Sequence, residues 1–289
     1  MSPADLERLA QRAEQLMSRF EALLPPAVPA PDWSALAQRW RTRQGRGWLE
    51  PLHNLQPIHL SDLQDVDDQK LRVDVNTRQF VRGGRANNVL LTGARGTGKS
   101  SLVRAVLTEY AAEGLRVIEV DKSDLTDLPD IVDLLRARPE KFILFCDDLS
   151  FDDGEPGYKA LKSVLDGSFA AVPENVLIYA TSNRRHLMPE YFSDNEQTRH
   201  GDGELHPGEA VEEKVSLSDR FGLWVSFYSF NQDAYLQIVQ HWLQVFGVSL
   251  ADWDAEIRRE ALQWSMMRAS RSGRVAWQFA RDYAGRASL

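Results

Sequence analysis

The residues with the clearest chemistry are GARGTGKS, Gly93–Ser100, set directly behind the apolar run Val89-Leu90-Leu91. Glycines at that spacing let the chain bend so that successive backbone N–H groups point inward. The helix that follows would add its positive amino end, and together these bind phosphate. The cradle comprises Gly93, Ala94, Arg95, Gly96, Thr97, Gly98, Lys99, Ser100 and Ser101. Lys99 is the residue that would reach a β- or γ-phosphate, and the Ser100 hydroxyl would take a Mg²⁺ position. An ordinary glycine-rich turn is the competing reading, and the flanking strand and helix patterns argue against it.

A Mg²⁺ held there needs a second oxygen ligand, and FILFCDD, Phe142–Asp148, provides one. An apolar strand ending in two carboxylates delivers both to the carboxyl edge of a sheet, where open α/β sheets bind ligands. Asp147 would hold Mg²⁺ through water, and Asp148 would polarise an attacking water. The alternative for the pair is a surface cap on the next helix. Cys146, on the same strand, reads as small core filling.

The elements that must position these residues follow from hydrophobic periodicity. From Val89 onward, short strand-like runs (VLL, LRVIEV, FILFC, VLIYATSN) alternate with helix-like ones (Ser101–Glu113, Leu128–Arg138, Tyr158–Val172). That alternation predicts an α/β fold with a parallel sheet and crossover helices. Leu223–Phe227 reads as a further strand. Gln232–Phe246, Asp254–Arg268 and Ser272–Ala284 read as three helices that form a small C-terminal helical lid. At the other end, apolar spacing from Leu6 to Leu23 predicts an amphipathic helix, and PPAVPAP separates it from a second short helix holding Trp33, Leu36 and Trp40. The expected organisation is therefore a helical appendage over 1–60, a nucleotide-binding domain over 61–229 with an insertion at 185–219, and a lid over 230–289.

These elements together resemble the AAA+ ATPases, in the family's order, over about Leu60–Ala287. YATSNRR, Tyr179–Arg185, resembles the family's polar sensor, and the resemblance puts Asn183 beside the attacking water and γ-phosphate. A strand-ending turn residue is its plainer reading. LSDRFGLWVSF, Leu217–Phe227, is similar to the segment in which members such as the bacterial replication initiator carry an arginine finger. That gives Arg220 the role of neutralising charge on a neighbouring subunit's nucleotide. SRSGRVAWQF, Ser270–Phe279, resembles the second sensor, with Arg274 reaching from the lid onto the same subunit's phosphates. A solvated basic face with Arg268, Arg271 and Arg281 is the competing reading. LSDLQDVDDQK, Leu60–Lys70, occupies the place of the adenine pocket, with Val66-Asp67 where the family has an apolar-glycine pair. The family's second Mg²⁺-strand carboxylate is Glu, and the shorter Asp148 predicts slow turnover. The overall likeness is to a bacterial group of single-domain AAA+ proteins whose cellular role is unknown.

The resemblance implies ATP and Mg²⁺ as cofactors, ATP hydrolysis, assembly into a homo-oligomeric ring or filament, and remodelling of a protein or protein–nucleic-acid client. The alternative is a nucleotide-switched DNA-binding or helicase-loader module with slow ATPase. A P-loop kinase is a third reading, opposed by Arg220 ahead of a strand and by the separate helical lid.

Charge narrows the partners. The formal net charge is −8, which offers no global attraction to nucleic acid or anionic lipid. The 185–219 stretch carries nine acidic residues against Arg185, Arg199 and Lys214, and reads as a partner-facing or subunit-bridging loop. Its His186, His200 and His206 match no metal-ligand spacing. Residues 256–289 are basic, as a lid facing an acidic neighbour would be, with a nucleic-acid face on the lid as the other reading. Trp33, Trp40 and Trp48, interleaved with Arg39, Arg41, Arg43 and Arg46, could stack bases. Docking of those tryptophans on the core is the commoner outcome. A single cysteine, the lack of a basic-then-apolar leader and the lack of a membrane-length apolar run point to the cytoplasm.

Overall fold

The structure is a computed structural model. It describes residues 11–15, 17, 28–151, 155–167, 173–184, 187, 217–249, 253 and 255–287. The expected helix over Leu6–Leu23 falls largely outside these residues, as do nearly all of the 185–219 insertion and its three histidines.

Seven strands form one sheet in the order β2-β1-β4-β5-β6-β3-β7. They are β1 (Ala37–Arg43), β2 (Arg46–Pro51), β3 (Val89–Gly93), β4 (Leu115–Glu119), β5 (Lys141–Cys146), β6 (Val176–Ser182) and β7 (Leu223–Phe227). All neighbouring pairs are parallel except β1 with β2. Successive side chains of a strand face opposite layers. Leu90, Leu144 and Ile178 therefore join one core with α3 (Leu128–Leu135) and α4 (Pro156–Asp166). Leu91, Ile143 and Tyr179 join the other with α1 (Asp67–Val81) and α2 (Lys99–Tyr110). Being covered on both faces explains why β5 and β6 read as continuous apolar runs rather than as alternating ones.

The N-terminal region corrects the sequence reading. Residues 37–51 are a β-hairpin that extends the sheet, not a helix carrying Trp33, Leu36 and Trp40. The turn is Gln44-Gly45, both at positive φ (53° and 72°), the twist that a two-residue type I′ hairpin requires. β1 then pairs in parallel with β4, Ala37 beside Val117, and the Arg39 guanidinium bonds Glu119 at 2.6 Å. Alternation decides against the helix: Gln38 and Trp40 point inward, while Arg39 and Arg41 lie less buried beside acidic partners. Trp33 and Trp40 do dock on the core. Trp40 is 6% exposed and donates its indole N–H to Asp127 at 2.9 Å. Trp33 meets Phe142 edge-on, with the Arg138 guanidinium 4.4 Å from its ring centre. Those two rings are committed to packing rather than to stacking bases.

α1 is pinned by a buried polar cluster. The fully buried Tyr179 hydroxyl, pushed up to about 12 by burial, meets Thr77 Oγ1 at 2.8 Å and accepts from Asn76 Nδ2 at 3.1 Å. Asn76 also donates to Asn87 O at 2.9 Å, tying the helix to the start of β3.

The chain closes with α5 (Gln232–Val245), α6 (Ala255–Met267) and α7 (Gly273–Ala287). Their apolar faces, including Tyr235, Val239, Ala276 and Phe279, join the same core as α1 and α2. Among the described residues no helix is long and apolar enough to cross a membrane.

Candidate functional site

β3 ends at Gly93 (φ 126°), where a Cβ would stand 1.9 Å from Phe227 O on the neighbouring strand. Only glycine lets the loop leave the sheet there. The loop then turns into α2, whose amino end begins at Lys99. Thr97 Oγ1 donates to Ala94 O at 2.8 Å and closes the turn.

Five of the side chains named from the sequence, Lys99, Ser100, Asp147, Asp148 and Asn183, converge on this loop. Lys99 Nζ donates to Gly93 O and Ala94 O, each at 2.7 Å, and to Asn183 Oδ1 at 3.1 Å. Those three bonds use all three protons of an ammonium. Burial lowers its pKa, opposed by the negative charges of Asp147 and Asp148. Ser100 Oγ donates to Asp147 Oδ1 at 2.7 Å, so the two proposed Mg²⁺ ligands touch. Asn183 Nδ2 donates to Asp148 Oδ1, and the Arg95 guanidinium lies 3.8 Å from Asp148 Oδ2.

One contributor escaped the sequence reading. Thr181 Oγ1 donates to Asp147 Oδ1 at 2.6 Å and accepts the Asp148 backbone N–H at 2.8 Å. It holds the Asp147 carboxylate and the Asp148 backbone at once, with Asp148 in the left-handed region at φ 52°. Its only sequence cue is its place near the end of β6, two residues before Asn183. Cys146 is fully buried and its thiol is pushed up to about 12, as core filling requires.

The lid meets the loop directly. A Cβ on Gly96 would come within 2.8 Å of Ser272 Oγ and 3.5 Å of Arg274 Cβ, which places Arg274 against the phosphate loop. Ser272 also accepts from Val275 N at 3.3 Å, capping α7. A cleft of about 640 Å³ lies between Ala94, Arg95 and Thr97 on one side and Ser265–Ser272 on the other, with Ser229 and Phe230 at its side. Val66, 5% exposed, is packed in the core just ahead of α1 and does not line this cleft.

Arg220 stands elsewhere. β7 runs parallel to β3 with Leu223 beside Val89 and Phe227 beside Gly93. Arg220 precedes β7, so at about 3.3 Å per residue it lies more than ~13 Å along the strand direction from the loop. Its guanidinium is ion-paired with Asp166, the last residue of α4.

A mostly parallel sheet bearing a glycine loop at the end of β3, carboxylates at the end of the adjacent-but-one strand β5, and a C-terminal helical region on that edge is a P-loop fold of the AAA+ type. The family model described as "Protein of unknown function (DUF815)" matches residues 34–287, and the chain belongs to that family. No curated protein matches it. Among solved structures it is similar to a RuvB variant from Thermotoga maritima (TM-score 0.53, 15% identity), covering 78% of this chain and 63% of that one. It is similar also to the Orc1 protein of Aeropyrum pernix in complex with DNA (TM-score 0.52, 15% identity), covering 81% of this chain and 62% of that one. At such identities the likeness is one of fold, and this chain spans somewhat less than two thirds of either neighbour.

Proposed function

We propose that the protein binds ATP with Mg²⁺ at Gly93–Ser101 and hydrolyses it slowly, in an oligomer, to rearrange a protein or protein–nucleic-acid client. The observation that carries this reading is the convergence of Lys99, Ser100, Asp147, Asp148 and Asn183 through direct hydrogen bonds across three strand ends.

In this reading 61–229 is the nucleotide-binding unit and 230–289 the lid. Hard oxygen ligands few in number suit Mg²⁺, which takes one or two protein oxygens and fills the rest with phosphate and water. Ser100 Oγ and Asp147 fit that donor set. Bound there, Mg²⁺ would neutralise charge developing on the phosphates. Lys99 exchanges a carbonyl for phosphate oxygens, and Asp148 accepts the proton of a water that Asn183 helps to orient. Asp148 lies one methylene short of a glutamate's reach, which keeps the step slow. Arg274 carries the phosphate state into the lid through its place beside Gly96.

Arg220 has no route to its own loop, and acts on the nucleotide of a second copy. The basic character of 256–289, set against the acidic 185–219 stretch, supports subunit contact through the lid. The adenine contact is assigned to Val66, near Leu63, whose side chain would lie 3.9 Å from a Cβ placed on Gly98. The single buried Cys146 suits a reducing, cytoplasmic setting.

The second reading, a DNA-binding module that hydrolyses ATP rarely, draws on the Orc1 neighbour's DNA complex. Steady-state ATPase with and without single-stranded DNA separates the two. Turnover indifferent to DNA is expected, and a stimulation that fades as salt rises would favour the module.

A further inference from the structure

Each oxygen of the Asp148 carboxylate faces a donor: Asn183 Nδ2 on Oδ1 and the Arg95 guanidinium, at 3.8 Å, on Oδ2. A carboxylate has about four lone-pair sites, so these two donors leave room for a water, and departure of the guanidinium would clear Oδ2 for it. The Arg95 partnership is weak, because its side chains are 78% and 58% exposed and the separation is at the limit of an ion pair. A phosphate bearing about two charges is a far stronger acceptor for a guanidinium, which can grip it bidentately.

The position of Arg95 favours that exchange. It sits in the loop between Gly93, whose carbonyl accepts from Lys99, and Gly96, which Ser272 of the lid covers. With Arg271 it lines the cleft between loop and lid. Arg95 and Arg274 both act to lower the Lys99 pKa against the negative charges of Asp147 and Asp148, so three cations gather near this loop beside two carboxylates. That leaves surplus positive charge for a polyphosphate.

We propose that Arg95 is a ligand of the terminal phosphate of a bound nucleoside triphosphate, leaving Asp148 when that phosphate arrives. Arg95 thus sets the preference for triphosphate over diphosphate and uncovers the Asp148 carboxylate only when a third phosphate is present. The assignment rests on reading Gly93–Ser101 as a nucleotide site. It concerns the terminal phosphate rather than the inner two because Asp148 is the residue placed beside the attacking water.

Calorimetric titration of the full chain with ADP and with β,γ-methylene ATP, each with Mg²⁺, tests it on wild type, Arg95→Gln and Arg95→Lys. In Arg95→Gln the analogue should bind roughly tenfold or more weakly while ADP stays within about twofold, as loss of one charged hydrogen bond implies. Arg95→Lys should recover part of the difference. Equal weakening of both ligands would mean that the loop itself is damaged, and unchanged affinity for both would mean that Arg95 touches neither; either overturns the assignment while leaving the nucleotide site standing. Failure of the wild type to bind either ligand would overturn the nucleotide reading, and the role of Arg95 with it.

Discussion

The two edges of the sheet differ in what they hold. At the carboxyl edge, around Gly93–Ser100, six polar side chains from three segments are engaged in hydrogen bonds with one another within one chain. At the amino edge of β7, Arg220 sits on Asp166, and the parallel register with β3 separates it from the loop of its own chain. In the proposed reading the first edge binds phosphate with residues of one chain. In the same reading the second holds the arginine assigned to another copy's nucleotide, paired here with Asp166. Loss at the first edge should therefore be seen in binding by isolated chains, and loss at the second only in turnover by the assembly.

The largest effect is expected at Lys99. Lys99→Ala removes the buried ammonium that bridges the loop carbonyls and Asn183, and nucleotide affinity should fall by roughly a hundredfold or more, read by calorimetry. Tight ATP binding by that variant would overturn the whole phosphate-site assignment. Far smaller is the effect expected at the buried anchor below the site. Tyr179→Phe leaves Thr77 and Asn76 each short of a partner and should cost about 1 kcal/mol in urea denaturation, with nucleotide affinity little changed. A large loss of affinity there would mean that the α1 anchor, and not the loop alone, shapes the carboxyl edge.

The same contrast explains what could be read from the sequence. The phosphate loop is legible because its chemistry lies in eight consecutive residues whose backbone does most of the binding. β5 and β6 are legible because burial on both faces writes them as apolar runs that end in polar residues. The hairpin at 37–51 is harder. Its turn is Gln-Gly rather than Asn-Gly, and β1 pairs with β4, some eighty residues away, so nothing local marks Trp40 as a strand residue. α1 is poorly marked for a related reason: it buries Val73 and Phe80 but exposes Leu71 and Val75, so its apolar stripe is blurred. Thr181 acts through two hydrogen bonds to the end of a neighbouring strand, and the contact of Ser272 with Gly96 depends on how the lid docks. Neither leaves a trace in spacing. Arg274 is the intermediate case, since its place at the start of a C-terminal helix is legible while its approach to Gly96 requires the packed lid.

The central claim, a site divided between two copies of the chain, is tested most directly by mixing Arg220→Ala with Asp148→Asn and following ATPase. Each variant alone should be depressed, by up to roughly a thousandfold for a finger arginine. In the mixture, an intact phosphate site on one subunit meets an intact arginine on its neighbour, and turnover should exceed the sum of the separate activities. A mixture that never exceeds that sum, at any ratio, would contradict the division of the site between subunits.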